Sequence, residues 1–350
     1  MANVYFSNIR ARSPRHNKIS KIMTLFDRAG FGDFITPGSL SALKVHFGEK
    51  GSDSFIRPVF VRQVADKVKE KGGKPFLTDT NTLYSGSRFN SVDHIQTALE
   101  HGFGYEVTGA PIIIADGLHS RNFIERDVDL KHFEKVKVAA DIVQADSLIM
   151  LNHFKGHEMS GFGGAIKNLA MGCAPAVGKR DQHQAGMSVK ETRCVQCGVC
   201  VDICPEHAIS MQQTSARIDR EMCSGCGECL NRCPQHAIEF DWHTELEPFM
   251  ERMTEYAYGV FRDKAGRIGF MNFLLSIVPD CDCVPWSDAP IVPDIGILAS
   301  RDPVAIDKAS FDLINKQIGI NATHLKTNYS EGDDKFSGVW HNTKGPIQLE

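Results

Sequence analysis

Short apolar runs that suit buried strands alternate along this chain with segments whose apolar residues recur at helical spacing. Helices are predicted over 57–71, from Ser91 to Gly102, and from Asp302 onward, each with start or stop residues at its ends. Such alternation favours a layered α/β fold. The predicted strands are 43–47, 75–80, 111–115, 147–152, 267–278 and 294–299.

Each predicted helix presents one apolar face. Ser91 is the expected N-cap of the second helix, and Pro303 suits the first turn of the third. Beyond about residue 325 the chain is polar and rich in turn-forming residues, so this tail is expected to be loosely ordered. The residues expected to point inward are Phe60, Val64 and Val68, then Val92, Ile95 and Leu99, and finally Ile306, Ala309 and Leu313.

A cysteine-rich stretch interrupts the alternation and contains one spacing twice. The first copy runs Cys-x2-Cys-x2-Cys-x3-Cys-Pro from Cys194 to Pro205, and the second repeats it from Cys223 to Pro234. A similar pentapeptide continues both copies, Pro-Glu-His-Ala-Ile in the first and Pro-Gln-His-Ala-Ile in the second. The chain therefore carries an internal duplication.

The spacing predicts two 4Fe–4S clusters. Each cluster needs four thiolates, and in paired motifs of this kind three come from one copy and the fourth from the other. Structural zinc is the alternative, but zinc sites normally use pairs of cysteines rather than triplets with a trailing fourth. The predicted ligands are Cys194, Cys197, Cys200 and Cys233 for the first cluster, and Cys223, Cys226, Cys229 and Cys204 for the second.

Over residues 188–240 the chain resembles the two-cluster bacterial ferredoxins, which implies a small α+β domain with two low-potential centres. We expect this domain to interrupt the α/β domain, so that residues 1–187 and 241–350 form one discontinuous unit. Two separate domains on either side of the clusters are the competing layout.

Composition and charge narrow the functions that fit. The 350 residues carry a net charge of −4, which gives no basic face for nucleic acid. The start lacks the apolar core of a signal peptide, and the longest apolar runs, such as 111–115 and 273–278, are too short to cross a bilayer. We therefore expect a cytoplasmic protein that binds neither nucleic acid nor membrane, in which clustered cysteines indicate metal rather than disulfides.

A second site is predicted where the strand at 147–152 ends, because ligands in α/β sheets collect at the carboxyl ends of strands. His153 and His157 can both face a metal or substrate there, or can simply make ordinary hydrogen bonds. The glycine-rich turn that follows can present amides and a positive charge to an anion, or can serve only as a tight turn. The residues of this candidate anion loop are Gly163, Gly164, Lys167 and Asn168.

Cys281 and Cys283 are the third notable feature. Two cysteines one residue apart face opposite sides of an extended strand, but both can reach one ion if the backbone curls. With two histidines they would complete a tetrahedral set of two sulfurs and two nitrogens suited to zinc or iron. Partly buried, inert thiols are the alternative.

Several long motifs resemble the family known as domain of unknown function 362. The resemblance implies a bacterial or archaeal cytoplasmic iron–sulfur protein, typical of anaerobes, in which the ferredoxin-like stretch interrupts the family domain. The motifs that carry it are KVHFGEKGSDSFIRPVFV (44–61), KPFLTDTNTLYSGSR (74–88), GAPIIIADG (109–117), HFKGHEMSGFGGAIKNLAMGC (153–173) and CDCVPWSDAPIVPDIGILASRDPVAIDKA (281–309).

A fainter similarity reaches the nickel-pincer lactate racemases, in which a histidine precedes a Gly-Gly-x-Lys turn. His153 or His157 would correspond to that histidine, and the turn to the glycines and lysine of the candidate anion loop. This chain has an extra residue between the second glycine and the lysine, and it has Met171-Gly172 where those racemases have Pro-Gly. Nickel chemistry is therefore not expected, whereas a binding role for the loop is.

The leading functional hypothesis is electron transfer through two clusters to or from a redox partner protein, with a third metal ion or an anionic ligand bound in the α/β domain. A reductase acting on a small molecule is the alternative enzyme, with Lys167 stabilising negative charge and His153 or His157 donating a proton. A metal-handling or assembly protein and a purely structural use of the clusters are the remaining alternatives.

Overall fold

The protein is described by a computed structural model over residues 2–184, 186–223, 227–241 and 245–350, without the side chains at 231, 240 and 241. The strands are β1 (Val4–Asn8), β2 (Leu40–Val45), β3 (Lys74–Asp79), β4 (Ile112–Ile114), β5 (Phe123–Asp127), β6 (Lys135–Ala139), β7 (Ser147–His153), β8 (Lys155–His157), β9 (Gly161–Gly163), β10 (Gly186–Val189), β11 (Ile209–Met211), β12 (Ala216–Ile218), β13 (Ile238–Asp241), β14 (Ile268–Leu274) and β15 (Gly296–Ser300).

The helices alternate with these strands along most of the chain. They are α1 (Lys18–Arg28), α2 (Pro58–Glu70), α3 (Ser91–Glu100), α4 (Tyr105–Thr108), α5 (Ala140–Gln144), α6 (Ala165–Cys173), α7 (Ala176–His183), α8 (Val199–Ile203), α9 (Glu228–Arg232), α10 (Leu246–Asp263), α11 (Pro303–Asn315) and α12 (Lys335–Val339).

A mostly parallel sheet forms the centre of the molecule, with its strands in the order β1-β15-β14-β7-β2-β3-β4. β15 runs antiparallel to both of its neighbours, and the strands from β14 to β4 pair in parallel. β14 and β15 follow the cysteine-rich stretch in sequence, yet they pair with β7 and β1, which precede it. The sheet therefore draws its strands from both sides of that stretch.

Both faces of the sheet are covered, and β7 shows how. Leu148 and Met150 belong to a core with residues of α6, α10 and α11, whereas Ile149 and Leu151 belong to a second core with residues of α1 and α2. Neighbouring residues of a strand point to opposite faces, so β7 presents apolar residues from 148 to 151 on both of its faces. A parallel sheet between two helical layers confirms the α/β fold that the alternation predicts.

The predicted inward face of α3 is wrong at two positions. Val92 and Leu99 are 65% and 51% exposed, and the buried residues of this helix include His94 and Thr97. The hydroxyl of Thr97 donates to the Ser87 carbonyl 2.9 Å away, so the helix docks through its polar side. Its N-cap is also one residue earlier than predicted, because the Asn90 side chain accepts from the amides of residues 92 and 93.

The expectation of a loosely ordered tail beyond residue 325 is also wrong. Leu325, Phe336 and Val339 are buried in the core on the α6 face of the sheet. The Phe336 ring lies 5.9 Å from that of Phe154 and 5.7 Å from that of Phe162, measured between ring centroids. A few large apolar residues hold this polar segment in place, because each removes substantial surface from water.

The cysteine-rich segment, residues 188–240, shows its sequence duplication in its backbone. Gly198 and Gly227 occupy the same left-handed conformation, with φ of 78° and 75°, and each precedes a short helix, α8 or α9. His207 and His236 match in the same way, with φ of 51° and 48°. β10 lies before the first copy and pairs with β13, which follows the second copy, whereas β11 and β12 lie between the copies and pair with each other. The strands of the two copies are therefore interleaved rather than side by side.

A buried carboxylate connects three elements around the candidate anion loop. Asp307 of α11 accepts hydrogen bonds from the amides of Ala165 and Ile166, at 2.7 and 2.9 Å, where α6 begins. It also accepts from the Asn272 side chain of β14 at 2.7 Å. Negative charge at a helix N-terminus is favourable, so this residue fixes the start of α6 against the sheet.

We expect Asp307→Ala to lower the free energy of unfolding by about 3 kcal/mol, because it leaves several buried donors without an acceptor. Asp312→Ala on the same helix is the matched control. Its carboxylate pairs with Lys308 at the surface, and losing that pair is expected to cost less than about 1 kcal/mol. Denaturant titration measures both values. Equal losses in the two variants would contradict the role assigned to Asp307.

Candidate functional site

A cavity of about 620 Å³ lies at the carboxyl ends of the parallel strands. His46 follows β2, Asp79 ends β3 and Lys155 begins the segment after β7, and all three line the cavity. This edge is where α/β proteins bind ligands. The other charged residues in the lining are Arg88, Glu158, Lys167 and Lys179. Four cationic side chains face two carboxylates, so the cavity has a positive balance of charge.

Two of these cations already have acidic partners. Arg88 Nε lies 3.0 Å from Glu49 Oε2, and Lys155 Nζ lies 3.4 Å from Asp282 Oδ2. All four residues of these two ion pairs are buried, because each is less than 9% exposed. These pairs fix the walls of the cavity and contribute little free charge to a ligand.

Lys167 and Lys179 supply the charge that a ligand would meet. Within the described part of the chain, neither ammonium forms an ion pair with a carboxylate. Lys179 Nζ donates to the Thr80 hydroxyl at 2.6 Å, and burial lowers the pKa of Lys179 to about 8. Both groups are suited to binding an anion.

A buried ion pair lies beside the cavity. Lys44 Nζ is 2.8 Å from Asp79 Oδ1, and both side chains are at most 4% exposed. Burial alone would raise the pKa of Asp79, but the positive charge of Lys44 holds it well below its usual range. Burial, and next the positive charge of Arg88, lower the pKa of His46, so this ring is neutral.

Cys281 and Cys283 lie together at the cavity because the chain turns between them. The amide of Val284 donates to the Cys281 carbonyl at 3.1 Å, which closes the turn, and both cysteines line the cavity. Lys167 Nζ is 3.9 Å from Cys281 Sγ. A hydrogen bond from the Cys283 thiol holds the pKa of Cys281 well below its usual range, and Lys167 acts in the same direction. The same bond raises the pKa of Cys283.

His157 completes a group that can hold a metal ion. One ligand atom from each of His157, Cys281 and Cys283 lies within 4.8 Å of the other two. The histidine Nδ1, however, accepts from the amides of Met159 and Ser160, at 3.1 and 3.2 Å. Burial, and next the charge of Lys167, lower the pKa of His157, so the neutral ring carries its hydrogen on Nε2.

His153 does not join this group. Its Nδ1 lies 2.9 Å from Asp282 Oδ1, and its Nε2 lies 3.0 Å from the carbonyl oxygens of Leu275 and Ser276. Both ring nitrogens are therefore engaged within the protein, and the ring does not line the cavity. The roles of His153 as a metal ligand or proton donor stay predictions, and the group that can hold a metal ion in the described residues contains His157 and the two cysteines without His153.

The candidate anion loop is also used differently from the prediction. Its glycines and Lys167 line the cavity, but the amides at the start of α6 already bind Asp307. Asn168 donates to the Asn152 side chain at 2.8 Å and accepts from Lys44. The amides at this turn therefore bind the carboxylate of Asp307. The ammonium group of Lys167 is the part of the loop that remains available to a ligand.

Four cysteines from the two copies of the motif line one small cavity in the cysteine-rich segment. Three come from the first copy and one from the second, and apolar side chains such as Val189 and Met211 surround them. The cysteines are Cys194, Cys197, Cys200 and Cys233. None of these four cysteines forms a disulfide with another described residue.

The predicted second cluster set is described for three of its four members. Cys204, Cys223 and Cys229 contribute to the small core of the segment, and Cys226 lies outside the described residues. Backbone amides donate to sulfur at equivalent points of the two copies. Ala208 donates to Cys204 Sγ at 3.3 Å, and Ala237 donates to Cys233 Sγ at 3.2 Å. Such bonds favour the thiolate form that a metal cluster requires.

Leu83 and Tyr84 connect the two sites. Both belong to the core of the cysteine-rich segment, and both also line the large cavity. The Tyr84 hydroxyl donates to the Cys283 carbonyl at 2.9 Å and accepts from Arg88 at 2.9 Å. Sequence reasoning missed this link, because Tyr84 and Arg88 stand in a family motif (74–88) without any chemical pattern that marks them.

The second copy of the motif lies against the α/β part of the chain. Arg180 of α7 donates to the Cys223 carbonyl at 2.6 Å, and Arg121 forms an ion pair with Glu228. The Phe89 ring lies close to Gly227. The first copy includes exposed residues, since Cys197 is exposed and Val195 is 60% exposed.

The pattern of the family described as Domain of unknown function (DUF362) matches residues 42–312. The chain belongs to this family. A thylakoid-associated protein of Synechocystis sp. is 27% identical to this DUF362 chain over 169 residues, which cover 47% of the chain and 49% of that protein. The match thus spans about half the length of that relative.

Two solved structures are also similar to the chain. The lactate racemase apoprotein from Thermoanaerobacterium thermosaccharolyticum has 12% identity and a TM-score of 0.43, covering 85% of this chain and 56% of the racemase. A protein from Thermotoga maritima has 10% identity and a TM-score of 0.44, covering 86% of this chain and 60% of that protein. Among the residues that the structure describes, no helix has the length and apolar character needed to span a membrane.

We expect Cys281 to react with iodoacetamide at least about 100-fold faster than Cys173 at neutral pH, because the thiolate is the reactive form. Burial raises the pKa of Cys173 to about 12, so its labelling should increase steeply with pH, whereas that of Cys281, whose pKa is lowered, should increase less. Peptide mass spectrometry of the reduced protein measures both rates.

Lys167→Met should slow the labelling of Cys281, because it removes the ammonium next to the sulfur. Lys179→Met is the matched control, since this second cavity lysine bonds Thr80 and should leave the rate unchanged. Identical rates in the two variants would show that Lys167 does not set the reactivity of Cys281.

Proposed function

We propose that this chain is an iron–sulfur electron-transfer protein. Two 4Fe–4S clusters in the cysteine-rich segment exchange electrons with a group in the large cavity. One observation carries the proposal. A single small cavity collects three cysteines of the first motif and the last cysteine of the second. Sharing of ligands between copies is the arrangement of two-cluster ferredoxins, and it is not expected for two independent zinc sites.

The residues around the cysteines fit such clusters. Apolar side chains surround the four sulfurs, and amides donate to sulfur at equivalent positions of the two copies. Burial and hydrogen bonds to sulfur are the means by which proteins adjust cluster potentials. When bound, the clusters supply one-electron transfer, and the chain supplies ligands, orientation and protection from water.

The surroundings of the two copies support a direction for the path. Val195 and Cys197 of the first copy are exposed, which suits contact with a redox partner protein. The second copy contacts Arg180 and Arg121 of the α/β part. Leu83 and Tyr84 then continue from the core of the segment to the cavity. This order favours exchange with the partner at the first copy and with the cavity at the second.

A reductase acting on a small anionic molecule is a second candidate function. The observation in its favour is the positive balance of charge in a 620 Å³ cavity, where Lys167 and Lys179 have no carboxylate partner among the described ion pairs. Cavities of several hundred Å³ bind small molecules. Lys167 would stabilise negative charge, and Nε2–H of His157 would donate a hydrogen bond to the bound molecule.

Iron analysis of paired cysteine variants tests the sharing of ligands between copies. Anaerobically purified protein should contain about eight iron atoms per chain, and Cys194→Ala and Cys233→Ala should each retain about four. The Cys194→Ala, Cys233→Ala double variant should also retain about four, because both cysteines serve one cluster. The Cys204→Ala, Cys233→Ala double variant should lose nearly all iron, because it affects both clusters.

Cys173→Ala is the control. This buried cysteine lies outside the two cysteine motifs, so its loss should leave the iron content unchanged. Acid-labile sulfide and EPR of the reduced protein identify the type of cluster. Zinc in place of iron in the wild-type protein would overturn the proposed function. Complete loss of iron in the Cys194→Ala, Cys233→Ala variant would overturn the sharing of ligands.

A further inference from the structure

Cys281 and Cys283 form a chemically distinct pair outside the cysteine motifs. The two sulfurs lie within 4.8 Å of each other at a closed turn, and both cysteines line the cavity. Lys167 places an ammonium 3.9 Å from Cys281 Sγ. A cationic neighbour stabilises a thiolate, and a thiolate with an adjacent thiol is the arrangement of a redox-active dithiol.

We propose that Cys281 and Cys283 are a reversible dithiol/disulfide pair. The pair receives electrons one at a time and passes them on, two together, to a molecule bound in the cavity. The proposal rests on the proposed function for the source of its electrons. In the oxidised form the two sulfurs are joined, and the pair opens when two electrons and one proton are added, which gives a thiolate at Cys281 and a thiol at Cys283.

The balance of the step assigns a task to each neighbouring residue. A one-electron iron–sulfur donor supplies two electrons in succession, the S–S bond breaks, and each sulfur gains one electron. Lys167 stabilises the Cys281 thiolate, and Cys283 takes one proton from water in the cavity, with the Nε2–H of the neutral His157 as a hydrogen-bond donor beside the sulfurs. In the return direction a two-electron acceptor in the cavity, such as a disulfide, takes the two electrons and the proton, and the two sulfurs are joined again.

The link to the cysteine-rich segment supports this position for the pair. Tyr84 packs against the core of that segment, and its hydroxyl donates to the Cys283 carbonyl. One side chain therefore contacts both the segment and the cysteine pair. Leu83 lies in the same core and in the cavity wall. Tyr84 therefore links the dithiol to the segment in which the proposed one-electron centres lie.

A metal ion on the same group is the competing assignment. A metal-bound histidine normally donates a hydrogen from its other ring nitrogen to a carboxylate, carbonyl or water. The Nδ1 of His157 instead accepts from two amides, which leaves the hydrogen on Nε2. His153, the second expected nitrogen ligand, is engaged by Asp282. These contacts favour His157 as a hydrogen-bond donor beside the two sulfurs over His157 as a metal ligand.

Redox titration with thiol mapping tests the proposal. The anaerobic holoprotein is equilibrated with mixtures of reduced and oxidised dithiothreitol, quenched in acid, labelled with a maleimide and analysed by peptide mass spectrometry. The peptide that carries Cys281 and Cys283 should change reversibly between a doubly labelled form and an unlabelled form two hydrogens lighter. Cys173 provides the internal control and should show no such change.

Lys167→Met should shift the dithiol/disulfide equilibrium toward the disulfide by about tenfold, because the thiolate loses its neighbouring charge. Lys179→Met should leave the equilibrium unchanged. If the pair stays reduced at every ratio, or if the protein contains zinc that is lost in both Cys281→Ser and Cys283→Ser, the dithiol proposal is wrong.

A second arm separates this proposal from the proposed function. Titanium(III) citrate should open the disulfide in wild-type protein much faster than in the Cys204→Ala, Cys233→Ala variant, whereas dithiothreitol should open it in both. A reversible pair in iron-free wild-type protein would support the dithiol and refute the electron-transfer function. Equal titanium rates in the two proteins would refute the assigned source of electrons.

Discussion

The carboxylate of Asp307 is the constraint on which the rest of the cavity depends. It satisfies the first amides of α6 and the side chain of Asn272, so it fixes a helix and a central strand relative to each other. Because the protein supplies this anion itself, the start of α6 is closed to an external one. The position of Lys167, two residues further along the helix than Ala165, follows from that anchor.

Several of the titratable side chains around the cavity are either paired with an opposite charge or kept uncharged. Buried acids neutralise Arg88 and Lys155, and burial keeps His46 and His157 uncharged. The remaining positive charge is concentrated on a few ammonium groups rather than spread over the walls. In a site shielded from water, such charges act strongly on a nearby sulfur or ligand. The neutral rings then remain available for hydrogen bonding without adding to the charge.

Sequence patterns predicted the fold well because apolar periodicity reports directly on burial. The strands at 43–47, 75–80, 111–115 and 147–152 all have counterparts in the sheet. The inward face of α3 was not predictable in the same way, because that helix packs through Thr97 and other polar groups whose partners lie in distant loops. Periodicity cannot register hydrogen bonds between segments.

The candidate site was only partly accessible from the sequence. The turn that allows both Cys281 and Cys283 to face one point was one of two stated alternatives, and spacing alone could not decide between them. Choosing between His153 and His157 depended on Asp282, which is far from both in sequence. Tyr84 and Lys179 gained their roles only through folding, since neither belongs to a pattern with a chemical meaning of its own.

The strand order has a consequence for how the chain is synthesised. β7 lies at the middle of the sheet, but its neighbour β14 is translated only after the whole cysteine-rich segment. Until then, one edge of a strand that is fully buried in the finished sheet has no partner, and such edges favour pairing with other chains. Completion of the sheet thus depends on contacts between distant parts of the sequence, which slows folding. A ribosome that stalls before β14 would release an aggregation-prone fragment.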